Sequence, residues 1–116
     1  MKVSYAILTH NEDKELKKLL DFLIEYKDED DEIVILDDYS DNQKTMEILD
    51  FYVSAYDIIY EQRHLLNDFA NQKNYLTRMC KGEYIINIDA DEIPHKQLMI
   101  NLKTILESNP TIDLYY

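Results

Sequence analysis

A single glycine, Gly82, occurs in 116 residues. That scarcity excludes two common ways of holding a phosphate, because the loop ending in Gly-Lys-Ser/Thr and the glycine fingerprint of dinucleotide folds each need several close backbone approaches. Cysteine is equally rare. Cys80 alone can form no intrachain disulfide and no cysteine-based zinc site; a reducing compartment fits, and on an apolar helix face it reads as a small core residue. Positive charge is also short, with 12 Lys and Arg against 24 Asp and Glu and a net charge of −12. A nucleic acid would meet a repulsive field instead of a basic face that releases counterions, so no nucleic-acid partner is expected. No apolar run approaches the ~20 residues of a membrane-spanning helix. Val3 to Leu8 is too short for a signal-peptide core, and the cytoplasm is the expected location.

What is present is the balance of a soluble globular protein, 46% hydrophobic and 31% charged, at the length of one domain with one core. Val3 to Leu8 reads as a strand, and Leu16, Leu19, Leu20, Leu23 and Ile24 follow at helical spacing. Ile33 to Leu36 is a continuous β-branched run, expected when helices cover both faces of a parallel sheet. Ser40 or Asp41 can cap a second helix running to about Ala55, with capping the favoured role of Asp41, and Tyr56 to Tyr60 reads as a third strand. Phe69, Leu76, Met79 and Cys80 form a helical stripe ending at Gly82, which suits a left-handed closing residue. Tyr84 to Ile88 reads as a fourth strand. After Pro94 comes a helix carrying Leu98, Met99, Leu102, Ile105 and Leu106, stopped by Asn109-Pro110, and Ile112 to Tyr116 reads as a fifth strand. The acidic run Asp28 to Glu32 reads as a solvated loop. Alternating strands and helices specify right-handed βαβ units and a mostly parallel sheet.

In such sheets ligands bind at the carboxyl ends of the strands. Three polar clusters fall there: Thr9-His10-Asn11-Glu12 after the first strand, Asp37-Asp38 after the second and Asp89-Ala90-Asp91-Glu92 after the fourth. An acidic protein that handles an anionic ligand needs a cation, and clustered carboxylates are how proteins hold magnesium or manganese. Asp89 and Asp91, two residues apart after a buried strand, suit this, one turned to ligand and metal and the other to ribose or a metal-bound water. An isolated Asp-x-Asp is common in so acidic a chain; its position at a strand end raises it. Blander roles stand beside these: Asp37-Asp38 can end a strand, Asn11 or Glu12 can start the first helix, and Lys73 can be ordinary helix surface. His10 and His95, beside helix starts, are assigned no metal.

Thr9-His10-Asn11-Glu12, Leu36-Asp37-Asp38-Tyr39-Ser40-Asp41, Asn67 to Asn74 with Gln72-Lys73-Asn74 at its end, and Gly82-Glu83-Tyr84 leading to Ile88-Asp89-Ala90-Asp91-Glu92 together resemble the ordered motifs of GT-A-fold family 2 glycosyltransferases. They are closest to the bacterial branch acting on lipopolysaccharide cores. The match spans residues 3 to about 95. The resemblance implies the Rossmann-like nucleotide-binding half of that fold, truncated at its C-terminus and occupying residues 1–116. It also implies a nucleoside-diphosphate sugar donor, a uridine diphosphate sugar favoured, a carbohydrate or glycolipid acceptor, and a location in the cytoplasm or at the inner face of the membrane. Thr9, Asn11 and Glu12 would line the nucleotide pocket, Asp38 or Asp37 would bond the base, and Lys73 would contact the donor phosphate or sugar. Asp89 would approach the ribose or donor sugar, and Asp91 would ligate Mn2+ or Mg2+ on the diphosphate. The catalytic base of inverting members lies in the second half of that fold, so no catalytic residue is assigned, and these residues alone are expected to bind donor without appreciable transfer. An exposed strand edge at the C-terminus favours pairing with a second copy.

Two other enzyme or signalling classes fit less well. A response-regulator receiver wants its acidic pair after the first strand, where Thr9-His10-Asn11 stands, and a nucleotidyltransferase carries a glycine- and arginine-rich loop there. The remaining alternative is a non-catalytic nucleotide-binding or interaction module derived from the glycosyltransferase fold.

Overall fold

The computed structural model describes residues 2–91, 93, 96–108 and 114–115. Along the chain run β1 (Val3–Thr9), α1 (Lys14–Tyr26), β2 (Glu32–Asp37), α2 (Gln43–Ala55), β3 (Ile59–Gln62), α3 (Phe69–Met79), β4 (Tyr84–Asp89), α4 (Lys96–Ser108) and β5 (Leu114–Tyr115). The strands form one sheet in the order β3-β2-β1-β4-β5, with every pairing parallel. This is the expected α/β architecture with helices on both faces. No described helix is long and apolar enough to cross a membrane.

Strand pleat sorts the core into two layers, because successive side chains point to opposite faces. Val3, Tyr5 and Ile7 of β1, with Ile33, Ile35, Ile86 and Ile88 of its neighbours, pack against α1, α2 and α4. Ala6, Val34 and Leu36 turn the other way, onto Leu76 of α3. Leu16, Leu19, Leu20 and Leu23 of α1 are wholly buried. At about 1.5 to 3 kcal/mol for each buried leucine, an upper estimate, this one stripe anchors the helix to the sheet. Cys80 lies half-buried beside the smaller layer, as expected. Burial, and then the charge of Glu32, pushes its thiol up to about 11, so it stays protonated and unreactive at neutral pH.

Several boundaries differ from the sequence reading for identifiable reasons. Asp13, not Asn11 or Glu12, caps α1. Asn42 caps α2 by accepting from Thr45 N at 3.0 Å, because Ser40 and Asp41 are engaged elsewhere. β3 starts at Ile59 and not Tyr56, since Tyr56 and Asp57 form a turn in which Asp57 has φ 55°. Residues 112, 113 and 116 of the expected fifth strand lie outside the described residues, as do Glu92, Pro94, His95, Asn109 and Pro110.

Gly82 is not a left-handed cap. Helix α3 ends at Met79 with Cys80 as its C-cap, and Gly82 does not have positive φ. Gly82 is needed for space: a Cβ there would lie 2.6 Å from Ser4 Oγ, 2.7 Å from Ser4 N and 3.0 Å from Lys2 O. Its amide donates to Ser4 Oγ at 2.8 Å, and that hydroxyl donates to Glu32 at 2.5 Å. The Lys81 amide also donates to Glu32. These bonds tie the amino ends of β1, β2 and β4 together.

The acidic run Asp28 to Glu32 is likewise more than a solvated loop. Asp31 is buried and accepts from Val3 N at 3.0 Å, while the Lys103 ammonium of α4 sits 2.8, 3.3 and 3.0 Å from Asp28, Asp30 and Asp31. These three carboxylates are the one described group close enough to hold a metal, but a lysine already neutralises them and they lie at the amino ends of the strands. Replacing Lys103 with methionine should cost about 2 kcal/mol at pH 7, less than the ~3 to 5 of a fully buried broken pair because Asp28 and Asp30 are open to water. The hydrogen bond from Lys103 holds Asp30 below its ordinary 3.8. Burial acts upward on Glu32, but the Lys81 amide, Ser4 and Lys2 outweigh it and hold it below 4.5. Carboxyls depressed in the folded state stabilise it above their ordinary values and lose that contribution as pH falls through their folded ones. Urea midpoints should therefore separate Lys103→Met from wild type at pH 7 and draw together as the pH is taken below the ordinary carboxyl range and through the depressed folded value of Asp30; a gap that does not narrow on acidification would show that the ion pairs contribute nothing.

Candidate functional site

Strand β1 sends β2 to one side and β4 to the other, so the order of the sheet reverses between β1 and β4, and a crevice opens beyond their carboxyl ends. The register sets Thr9 beside Asp37 and Leu8 beside Asp89, which brings the expected clusters to one rim. A cleft of about 490 Å3 lies there, lined by Thr9, His10, Glu12, Asp38, Gln72, Lys73, Asp89 and Asp91, with Leu8, Leu36, Leu65, Phe69 and Ala90 as its apolar walls. That volume suits a ligand of nucleotide size.

On the β1 side, Glu12 accepts from Thr9 Oγ1 at 3.0 Å and from the His10 amide at 2.6 Å with the same oxygen, folding the loop back on the strand end. His10 Nδ1 lies 2.5 Å from the Asp38 carbonyl and so carries the proton, and Asn11 Nδ2 approaches the other ring nitrogen at 3.3 Å. Asn11, with φ 58°, does not line the cleft. Its side-chain oxygen accepts from the backbone amides of Asp41 and Asn42, and its side-chain Nδ2 donates to Asp41 Oδ1, so Asn11 and Asp41 fasten the β1 and β2 loops together.

The neighbouring aspartates of β2 have different surroundings. Asp37 is fully buried and accepts from Ser40 Oγ, Ser40 N and the Tyr60 hydroxyl. Burial, and then the charge of Asp37, holds that hydroxyl above its usual range. The structure therefore places Asp37, one of the two candidates for bonding a base, in the scaffold behind the cleft. Asp38 is the one on the cleft. Its Oδ1 accepts from the Leu65 amide at 3.1 Å, and the imidazoles of His10 and His64 stand 3.9 and 3.8 Å from its carboxylate.

Across the cleft, Lys73 projects from α3, exposed, and shares a smaller adjoining recess with Asp89. Asp89 and Asp91 flank the buried Ala90, and both are exposed. Among the described residues neither carboxylate has a hydrogen bond or ion pair. Among the described residues four carboxylates and one lysine line this cleft, so an anionic ligand would be repelled unless a cation came with it. Two uncommitted hard-oxygen groups at one strand end fit that need, since magnesium-type ions take one or two carboxylates and fill their remaining positions from phosphate and water. His64, Leu65, Phe69 and Gln72 escaped the sequence reading as site residues. Gln72 carried a signal, being the polar member of the apolar stripe Phe69, Leu76, Met79.

The family model described as Glycosyl transferase family 2 matches residues 4–114. The SPbeta prophage-derived glycosyltransferase SunS of Bacillus subtilis (strain 168) is 33% identical over 95 residues, which cover 82% of this chain and 21% of that protein. The chain thus spans about a fifth of the length of the curated relatives it matches. Among solved structures, S. aureus TarS 1-349 superposes with a TM-score of 0.79 at 23% identity over 95% of this chain and 33% of that one. TarS 1-349 in complex with UDP-GlcNAc gives 0.74 at 22% identity, covering 95% and 32%. The mannosyltransferase PcManGT from Pyrobaculum calidifontis, in complex with GDP-Man and Mn2+, gives 0.72 at 23% identity, covering 95% and 33%.

Proposed function

The chain belongs to glycosyl transferase family 2, and on that premise we propose that it is the donor-binding part of an enzyme transferring sugar from a nucleoside diphosphate to a carbohydrate or glycolipid acceptor. The observation that carries this reading is the pair of carboxylates, Asp89 and Asp91, that have no partner among the described residues and share with Asp38 a cleft at the switch point of the sheet. Asp91 and the donor diphosphate would hold Mn2+ or Mg2+, whose positive charge offsets the charge that grows on the departing nucleoside diphosphate. Asp89 lies where ribose or donor sugar would pass. Lys73, the one lysine among the described residues of the cleft, would reach the phosphates or sugar, and Thr9 and Glu12 would shape the wall behind the nucleotide. Similar structures hold both UDP and GDP donors, so base choice rests on this chain's own residues.

Asp38 favours uracil. An aspartate accepts from the ring N–H of uracil and finds no such donor at the equivalent edge of cytosine, and a buried polar group left without its partner loses about 1 to 3 kcal/mol. Calorimetry with a nucleoside diphosphate panel, with manganese and with excess chelator, tests the whole reading. Uridine diphosphate should bind tightest and only with metal, and Asp38→Ala should remove roughly tenfold or more of its advantage over cytidine diphosphate. Asp37→Ala should instead lower stability, with selectivity kept in the folded fraction. Equal affinity in chelator would refute the metal site, and unchanged selectivity in Asp38→Ala would refute the base assignment.

A further inference from the structure

We infer that Gln72 is a positioning residue for Asp38, acting through Arg63 and the loop between β3 and α3, and that it thereby sets the choice of base. The inference rests on the reading above that Asp38 receives the base. Gln72 is 2% exposed, in the first turn of α3, and both ends of its amide are used on one residue: Nε2 donates to the Arg63 carbonyl at 2.6 Å, and Oε1 accepts from Arg63 Nη1 at 2.8 Å. A buried amide with a partner missing is costly, so the two residues hold each other. Arg63 is fixed on its other sides as well, its amide donating to the Asp37 carbonyl at 2.9 Å and its guanidinium lying 4.9 Å from the centre of the Tyr75 ring.

From that fixed point the chain has only a few residues in which to reach α3. Leu66 and Asn67 both take left-handed backbone, φ 52° and 59°, and Leu66 is 82% exposed. The turn closes when the Asp68 amide donates to the Leu65 carbonyl at 3.0 Å, and Asp68 then caps α3 through Asn71 N. The loop is therefore anchored to α3 at both ends, by Gln72 at its start and Asp68 at its finish. In that shape the Leu65 amide points at Asp38 Oδ1. Oδ1 is thus held by the protein, while Oδ2 makes no hydrogen bond among the described residues and has the His10 ring 3.9 Å away, within reach of a ligand's N–H. Consecutive left-handed residues other than glycine are costly for the backbone to hold, so releasing the Gln72 clasp should let the loop relax and the Leu65 amide leave Asp38.

Gln72→Leu keeps the volume and removes both bonds. Two readouts decide the matter. In the ligand-free protein, hydrogen exchange at the Leu65 amide should accelerate at least tenfold, while the Leu36 amide inside the sheet keeps its wild-type rate. In calorimetry the ratio of uridine to cytidine diphosphate affinities should fall at least fivefold. Arg63→Met, which retains the carbonyl that Gln72 bonds, should show a smaller change in both. Wild-type exchange and wild-type selectivity in folded Gln72→Leu would overturn the inference. If Gln72→Leu does not fold, Gln72→Glu, which keeps the acceptor for the guanidinium but has no N–H for the carbonyl, is judged by the same two outcomes. A wild-type protein that shows no uridine preference would sink the base reading instead, and the Leu65 exchange, measured without ligand, would still decide whether Gln72 positions the loop.

Discussion

Gly82→Ala is expected to destabilise the domain by about 3 kcal/mol, a large share of the ~5 to 15 that holds a domain of this size together. The added methyl would lie 2.6 Å from Ser4 Oγ and 2.7 Å from Ser4 N. The hydroxyl can rotate away, but the amide belongs to β1, the strand paired on both sides in the middle of the sheet. Relief must then come from moving Lys81-Gly82, and that breaks the bonds from Gly82 N to Ser4 and from Lys81 N to Glu32. Urea denaturation of Gly82→Ala and of the double variant Gly82→Ala/Ser4→Ala separates the two contacts. Most of the loss should persist in the double variant if the backbone amide is the obstacle, whereas near-complete recovery would assign it to the side chain. A midpoint within ~0.5 kcal/mol of wild type for Gly82→Ala would show that the strand end yields freely.

Asp91→Ala is expected to reduce the manganese-dependent part of uridine diphosphate binding by more than about 100-fold, since even groups that merely support a metal ligand are worth 10- to 100-fold in metal affinity. Stability should not fall with it. The Asp91 side chain is exposed and without partner among the described residues, and its removal takes one of the four carboxylates that the described residues bring to the cleft, so the metal-free variant should melt at the wild-type temperature or slightly above. Adding manganese should raise the melting temperature of the wild type in the presence of nucleotide and leave the variant unmoved. A variant that unfolds, and whose folded remainder still binds nucleotide in a metal-linked way, would make Asp91 a structural residue.

Local pattern was enough for the elements that bury many apolar side chains. β1, β2 and β4 announced themselves as continuous apolar runs, and α1 as a stripe of leucines, because burial imposes a period on the sequence. β3 pairs with only one neighbour and is partly exposed, so little distinguishes it from the Tyr56-Asp57 turn before it. The caps were misread for a different reason. Ser40, Asp41, Asn42 and Asp13 are all competent caps, and the choice falls to hydrogen bonds from far away, Ser40 going to Asp37 and to the Asn11 amide, and Asp41 to the Asn11 side chain. The partnership of Lys103 with Asp30 spans 73 positions in sequence, beyond any local window. At the site, the three clusters could be placed on one rim from topology alone. Which of Asp37 and Asp38 faces the cleft depends on where the strand ends and the pleat stops, and no residue type encodes that.

The sheet is closed by different means at its two ends. At the amino ends of the strands the charges are answered: Lys103 sits among three aspartates, Glu32 among Ser4, Lys81 and Lys2, and the lone glycine fills a space too small for a methyl group. At the carboxyl ends Asp89 and Asp91 have no counter-charge among the described residues. Selection therefore has two separable targets along one axis, some 20 Å apart for strands of six or seven residues. Substitutions near Ser4, Lys103 or Gly82 would surface in a library scored for soluble yield, and, on the function proposed above, those at Lys73, Asp89 or Asp91 would pass that screen and fail one scored for ligand capture. A lineage could trade its ligand by drift at one end while the other kept the polypeptide folded and abundant.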